Sequence, residues 1–452
     1  MSFLEQLKKE NILIVGFGYR TGLQTANYLL NKEISVSISD LRNKEELKSL
    51  ISELKGNVKN FFTGNQDISQ LKDIDRVILS PGVPRKIPII QSAIEQKIPV
   101  MSEIELAYLL CNPKLVIGIT GTDGKTTTTS LCNELIKEEF HVLMGGNIGI
   151  PFISFVDDVK DDTIILLELS SYQLEDIPYF NCNIAALLNI SEDHLDRYES
   201  FNHYIDAKKN IFKNQSSTDY AILNLDDNHY NTVSQGIKSQ IMSFSKSNTN
   251  ANAYVINNKI IFNDNEIISL NNIKLKGVHN LENILASVII AKLVGVSNKS
   301  IQKVINEFRG LPHRNEFIAS VCGIDFINDS KATTINSVIK SLLSQDKPII
   351  LLMGGQDKGL DFSLLKNHIE QRVKKLILFG EAKEKIDREI QFSPKKTIEN
   401  LESAFEEALG SAVSGDIILL SPGCTSFDQY SNYEERGNHF RELVFKLKNK
   451  DN

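Results

Sequence analysis

Short apolar, β-branched runs recur along the chain, each closing on a loop rich in Gly, Ser, Thr or Asp and leading into a stretch with helical spacing. The runs at 12–15, 35–39 and 77–79 form one group, and those at 115–119, 163–169, 184–188 and 220–224 form a second. A third group lies at 323–327, 348–353, 375–379 and 416–420. Such alternation predicts β-α-β units and parallel sheets. After 115–119, the helix predicted from Thr126 onward carries Leu131, Leu135 and Ile136 on its apolar side. Two segments break the rhythm. Residues 253–262 and 266–270 alternate around Asn-rich turns and predict a small antiparallel unit, while Gly310 and Pro312 in FRGLPHRNEF mark a hinge.

A chain of 452 residues exceeds one ordinary core. The groups divide it into three α/β domains: a Rossmann-like domain at 1–111, a central P-loop domain with the antiparallel unit at 112–311, and a second Rossmann-like domain at 312–452. A formal net charge of −7 lacks the basic footprint of a nucleic-acid partner. Cys111, Cys132, Cys182, Cys322 and Cys424 are scattered, without a C-x-x-C pair, which predicts reduced thiols rather than a disulfide framework or zinc site. With neither a signal-peptide pattern nor a run long enough to span a bilayer, a cytoplasmic location without membrane association is expected.

The densest chemistry lies in GTDGKTT, residues 121–127, between the strand at 115–119 and its helix. Backbone N–H groups of a glycine loop at a helix start converge on an anion; Lys125 can reach outer phosphates and the Thr126 hydroxyl can ligate Mg²⁺. The spacing departs from G-x-x-x-x-G-K-[ST], since Ile119 stands where the first glycine would be. Near the N-terminus, GFGYRTG follows a strand and Asp40 ends the next one, a pattern compatible with a dinucleotide, another diphosphate or no ligand. SPGVP, residues 80–84, is a turn at the carboxyl edge of the same sheet.

Further candidates follow. Glu168 sits in a nearly continuous apolar run, where a charge is costly unless paired or cation-bound, and it reads as a metal ligand. His194, behind two acids in NISEDHLDRY, reads either as a structural hydrogen-bonding group or as a ligand. Lys208 and Lys209 read by default as solvated charges. Asn280 and Asn283 share a helix face and either present amides to a base or ribose or cap the helix.

Taken together, SPGVP, GTDGKTT, GGNIG, ELSSYQLE, NISEDHLDRY, AKKNIF, GVHNLEN, GLPHRNE, NDSKAT, LSPGCTSFDQY and NYEERGNHF resemble the Mur ligases in order and over nearly the whole chain. ELSSYQLE and SPGCTSFDQY are most similar to the branch that adds D-glutamate. The resemblance implies an ATP-dependent ligase joining D-glutamate to UDP-N-acetylmuramoyl-L-alanine through an acyl phosphate, as a monomer. It implies that Gly121, Thr122, Asp123, Gly124, Lys125, Thr126 and Thr127 bind ATP together with Asn280, Asn283, Arg314, Asp329 and Lys331. Two Mg²⁺ ions are implied, held by Thr126, Glu168, His194 and a carbamylated Lys208; Lys125, His194 and Lys208 are the implied catalytic residues. The acid substrate is assigned to Gly18, Arg20, Thr21, Asp40, Arg42, Ser80, Pro81, Gly82 and Asn147, and the amino acid to Lys358, Ser426 and Tyr433. GFGYRTG carries one residue more than the usual first loop, and Asn336 falls later than in K-A-T-N. Domain closure about 308–316 would exclude water from the acyl phosphate.

Among rival readings, a folate ligase has no use for a UDP-binding first domain. A nicotinamide dehydrogenase leaves Lys125 and Glu168 without a role, and a switch GTPase would need an N-K-x-D string that is absent. An inactive scaffold is disfavoured by the intact set of expected metal ligands.

Overall fold

The structure, a computed structural model, describes residues 2–192, 197–275 and 278–450. Three sheets follow the three groups of apolar runs. In the first, five parallel strands run across the sheet in the order Asn60–Thr63, Ser35–Asp40, Asn11–Val15, Arg76–Leu79, Val100–Ser102. The chain winds outward from Asn11–Val15 to one edge and then to the other. The loop after this central strand therefore lies at a switch point, where neighbouring connections diverge and leave a crevice. GFGYRTG occupies that place.

The second sheet has nine strands, with Leu115–Thr120 flanked by Ile164–Glu168 and Ile184–Leu187. Residues 253–269 form the predicted antiparallel unit, Ala253–Ile256, Lys259–Phe262 and Asn265–Ser269, and it is continuous with the main sheet. Phe244 and Ser245 pair in parallel with Ala253 and Tyr254, so these strands extend the main sheet before it turns antiparallel. The third sheet has six strands and opens with the hairpin Glu316–Val321/Ile324–Asn328.

The chain forms two compact units, Met1–Phe308 and Arg309–Asn452. The first unit holds two sheets because one apolar cluster runs through both: Ile104 and Ala107 of the helix Glu103–Leu110 belong to it together with Phe152, Phe155 and Val156. Two carboxylates reinforce this contact. Glu103 accepts from Ile153 N (2.7 Å), and Glu105 accepts from Tyr179 N and Phe180 N (3.0 and 2.8 Å). The second unit encloses its own clusters on the two faces of its sheet.

Candidate active site

Leu115–Thr120 delivers the chain into the predicted glycine loop, and the helix Lys125–Ile136 begins directly behind it. Gly124 has φ +79°, and a Cβ there would collide with Asn283 Oδ1, so only glycine fits the turn. Lys125 Nζ donates to the carbonyls of Gly121 and Thr122, both at 2.8 Å, curling over its own loop. Thr122 Oγ1 donates to Ser191 O (3.2 Å) and accepts from Ser191 N (3.0 Å). Asp123 N donates to Asn189 Oδ1 (2.8 Å). The loop is thus pinned to the end of the neighbouring strand, as an anion cradle must be if its N–H groups are to stay aligned.

Asn283 is buried; its Oδ1 accepts from Thr128 Oγ1 (3.2 Å) and its Nδ2 donates to Asn280 Oδ1 (3.1 Å). Both asparagines lie inside the helix Val278–Val294, and Asn283 braces the glycine turn. Thr126 and Thr127 are buried in the first turn of the loop's helix.

Glu168 ends its strand opposite Ile119. It is 3 % exposed; Oε1 accepts from Asn147 Nδ2 (2.8 Å), and Oε2 has no protein partner. A buried carboxylate oxygen without a hydrogen-bond donor is chemically suited to a cation. Thr126 opens the helix behind the strand whose Ile119 pairs with Glu168, and with its hydroxyl and phosphate oxygens to complete the shell the donor set suits Mg²⁺, a hard ion that takes few protein ligands. No group of three His, Cys, Asp or Glu gathers among the described residues. His194 lies outside the described residues.

Lys208 is not the solvated charge that spacing alone predicts. It is 2 % exposed, donates to Gly121 O (2.8 Å) and lies over the Tyr204 ring at 4.7 Å. Its neighbour Lys209 donates to the carbonyls of Thr232 and Gln235 (3.2 and 2.6 Å).

All nine residues assigned to the acid substrate line one cavity of about 420 Å³, together with Gln173. Asp40 accepts from Phe17 N (2.7 Å) and from Arg42 N, Nε and Nη2 (each 2.9 Å). Burial opposes its ionisation, but the Arg42 and Phe17 hydrogen bonds outweigh burial and hold the carboxyl below its ordinary range. Since both oxygens are engaged by the protein, Asp40 is a poor acceptor for a ribose hydroxyl, which disfavours the dinucleotide reading. Asn147 belongs to this cavity and also grips Glu168.

In the second unit, Asp329 is buried and accepts from Asn315 N (3.1 Å) and Ser421 Oγ (3.2 Å). Burial, partly offset by these bonds, pushes its carboxyl up to about 7. Lys331 Nζ lies over the Tyr433 ring at 5.4 Å, and Ser330 Oγ donates to Tyr433 O (2.8 Å). Ser426 is buried, whereas Lys358 is exposed, in the loop that Gln356 bridges to Thr425. Arg314 N donates to Leu311 O (3.3 Å).

Family profiles cover most of the chain: a MurD-like N-terminal domain of Mur ligases at 10–102, the Mur ligase middle domain at 119–291 and the Mur ligase glutamate ligase domain at 313–424. A UDP-N-acetylmuramoylalanine--D-glutamate ligase of Koribacter versatilis is 40% identical over 447 residues, 98% of each chain. A protein of the same name from Clostridioides difficile is 37% identical, over 98% of this chain and 100% of its own. The chain belongs to the Mur ligase family. It is an ATP-dependent amide ligase of peptidoglycan precursor synthesis. The fold agrees with solved structures of the family. MurF from Acinetobacter baumannii superposes with TM-score 0.60 at 15% identity, covering 98% of this chain and 97% of that one. UDP-N-acetylmuramate-alanine ligase from Thermotoga maritima gives 0.57 at 18% identity, covering 97% and 99%.

Some residues of this Mur ligase site escape a reading by motif. Glu103 is buried with Oε2 unpartnered, although in EIELAYLL it shows the same charge-in-an-apolar-run signal that marked Glu168. Arg197 donates to the carbonyls of Gly82 and Val83 (both 3.3 Å) and to Glu175 Oε2 (3.2 Å), a role that no local spacing announces.

Proposed function

We propose that this ligase joins D-glutamate to UDP-N-acetylmuramoyl-L-alanine, forming an amide through an acyl phosphate and releasing ADP and phosphate, and that it does so as a cytoplasmic monomer. The observation that carries the reading is Asn147: one residue both lines the cavity suited to a nucleotide-diphosphate acid and grips the buried Glu168 beside the phosphate loop. The acid is thereby directed toward the γ-phosphoryl group. Full-length relatives at 37–40% identity bearing the D-glutamate ligase name support the same choice of substrates.

The mechanism follows from charge. A carboxylate is a poor electrophile, and its approach to a triphosphate brings anions together. Lys125 stands at the loop, and on release from the Gly121 and Thr122 carbonyls it can turn to the γ-phosphoryl oxygens. Glu168, Thr126, His194 and Lys208 would hold two Mg²⁺ ions, which supply charge neutralisation and orient the phosphoryl group. The L-alanine carboxylate attacks the γ-phosphorus, ADP leaves, and the amine of D-glutamate attacks the acyl carbon. Phosphate then departs as the amide forms and the amine proton is released. Lys358, Ser426 and Tyr433 would bind D-glutamate, while Asn280, Asn283, Arg314, Asp329 and Lys331 would serve the nucleotide.

Lys208 fits the proposed carbamate. A carbamate nitrogen keeps one N–H, enough to retain the bond to Gly121 O, and its carboxylate would meet the magnesium charge. Intact-protein mass spectrometry in bicarbonate should find the added mass of one CO₂, lost in Lys208→Ala.

Phosphate release from ATP tests the whole reading. It should require both UDP-MurNAc-L-Ala and D-glutamate; equal turnover with L-glutamate, or with a folate in place of the UDP acid, would overturn it.

A further inference from the structure

The loop that holds Asn147 is fastened to the cavity by an arginine. Arg20, in GFGYRTG, donates Nη1 to Asn147 O (2.8 Å) and Nη2 to Gly146 O (3.1 Å) and Gly149 O (3.3 Å). Asn147 is bonded to Glu168 twice, N to O at 2.7 Å and Nδ2 to Oε1 at 2.8 Å. Gly146, with φ +94°, packs so closely on the Glu168 carbonyl that no Cβ would fit, so the loop and the strand end move together. A continuous path of hydrogen bonds runs from the cavity wall to the buried carboxylate.

Arg20 is also placed to sense what fills the cavity. Its three hydrogen-bond acceptors are neutral carbonyls, and the one carboxyl that feels its charge, Glu103, is held partly neutral by burial. A guanidinium has five N–H donors, and the three carbonyls leave about two of them, on Nη1 and Nε, for an anion. It lines the cavity. A diphosphate there can bind Arg20 without displacing it from the loop. Another part of the lining is also held, since Arg197 donates to the Gly82 and Val83 carbonyls while stacked 4.2 Å above the Tyr172 ring.

Building on the function proposed above, we propose that Arg20 is a positioning residue that couples the two substrate sites. By bridging the diphosphate of the acid and the 146–149 loop, it sets Asn147 and Glu168, so that the acid and magnesium-nucleotide bind with positive cooperativity.

The test is a linkage measurement by calorimetry on the full chain. Mg·ADP is titrated with and without saturating UDP-MurNAc-L-Ala, and the ratio of the two dissociation constants is the coupling factor. For the wild type, the expected factor is about five or more, equal in the reverse titration. In Arg20→Ala it should fall to about one, with a modest loss of affinity for Mg·ADP alone because the loop that grips Glu168 is no longer held. Arg20→Lys should retain much of the affinity for the acid through its charge while losing the coupling, because an ammonium cannot span three carbonyls and an anion. If Arg20 were only a substrate contact, Arg20→Ala would weaken acid binding and leave the factor intact. That result, or a wild-type factor of one, overturns the proposal. If the wild type fails to bind UDP-MurNAc-L-Ala at all, the functional reading fails first.

Discussion

Glu168 concentrates the chemistry in one unsatisfied atom. Its Oε2 is buried without a protein partner while Oε1 is held by Asn147, so the folded chain carries a desolvation cost that a cation would relieve. Glu168→Gln keeps the shape and removes the charge. It should leave the melting temperature in EDTA unchanged or raised, and should lower ligase activity by roughly a hundredfold or more, as loss of an electrostatic group at a reacting centre does. A variant that melts earlier yet stays active would mean the carboxylate is structural.

Glu103 makes a complementary case, away from the phosphate loop. Burial, opposed by the Ile153 and Phe152 N–H groups and the Arg20 charge, pushes its carboxyl up from about 4.5 to about 7. Between those values the folded protein holds a proton that the unfolded chain has released. The stability that this group contributes is therefore full below about pH 4.5 and lost as pH rises through about 7. Glu103→Gln should raise the melting temperature at pH 8 by on the order of a few degrees and make little difference near pH 5. An equal difference at both pH values would contradict this sign. Glu103 was legible in principle, as a charge inside an apolar run. The burial of Lys208 was not, because AKKNIF offers two adjacent lysines and only the packing of that helix distinguishes them.

Among the elements, the strand–loop–helix at 115–136 was readable because each level agreed: apolar strand, glycine turn, helical periodicity. The strands that escaped notice lack such agreement. Val100–Ser102 and Lys395–Thr397 are short edge strands, the second largely polar, and Glu316–Val321 begins inside a Gly- and Pro-containing segment that reads as hinge. The junction between Gln240–Ser245 and Ala253–Ile256 depends on only two paired positions, a tertiary fact with no local signal. The turn itself offers a test. Gly124→Ala would force a Cβ into Asn283 Oδ1 and a side chain into φ +79°. It should cost about 1–3 kcal/mol of stability and most of the nucleotide affinity. Adding Asn283→Ala relieves the collision but not the backbone, so equilibrium unfolding should show only partial recovery; full recovery would mean that φ is not the constraint.

For the molecule as a whole, the chain divides at Phe308/Arg309, in the segment where Gly310 and Pro312 break the pattern. The second unit owns a complete sheet and the apolar clusters on both of its faces. A fragment of residues 309–452 should fold alone and melt in a single cooperative transition by circular dichroism, with no phosphate release. A broad, non-cooperative melt would show that its core depends on the first unit. Among the described residues no helix is long and apolar enough to cross a membrane.

The account turns on the order of bond making: phosphoryl transfer to the acid first, amide formation second. It is tested most directly by labelling both oxygens of the L-alanine carboxylate of UDP-MurNAc-L-Ala with a heavy isotope and analysing the phosphate released during turnover with ATP and D-glutamate by mass spectrometry. An acyl phosphate requires one labelled oxygen in each phosphate formed. Phosphate free of label, with amide still produced, would contradict the mechanism drawn from Lys125, Asn147 and Glu168.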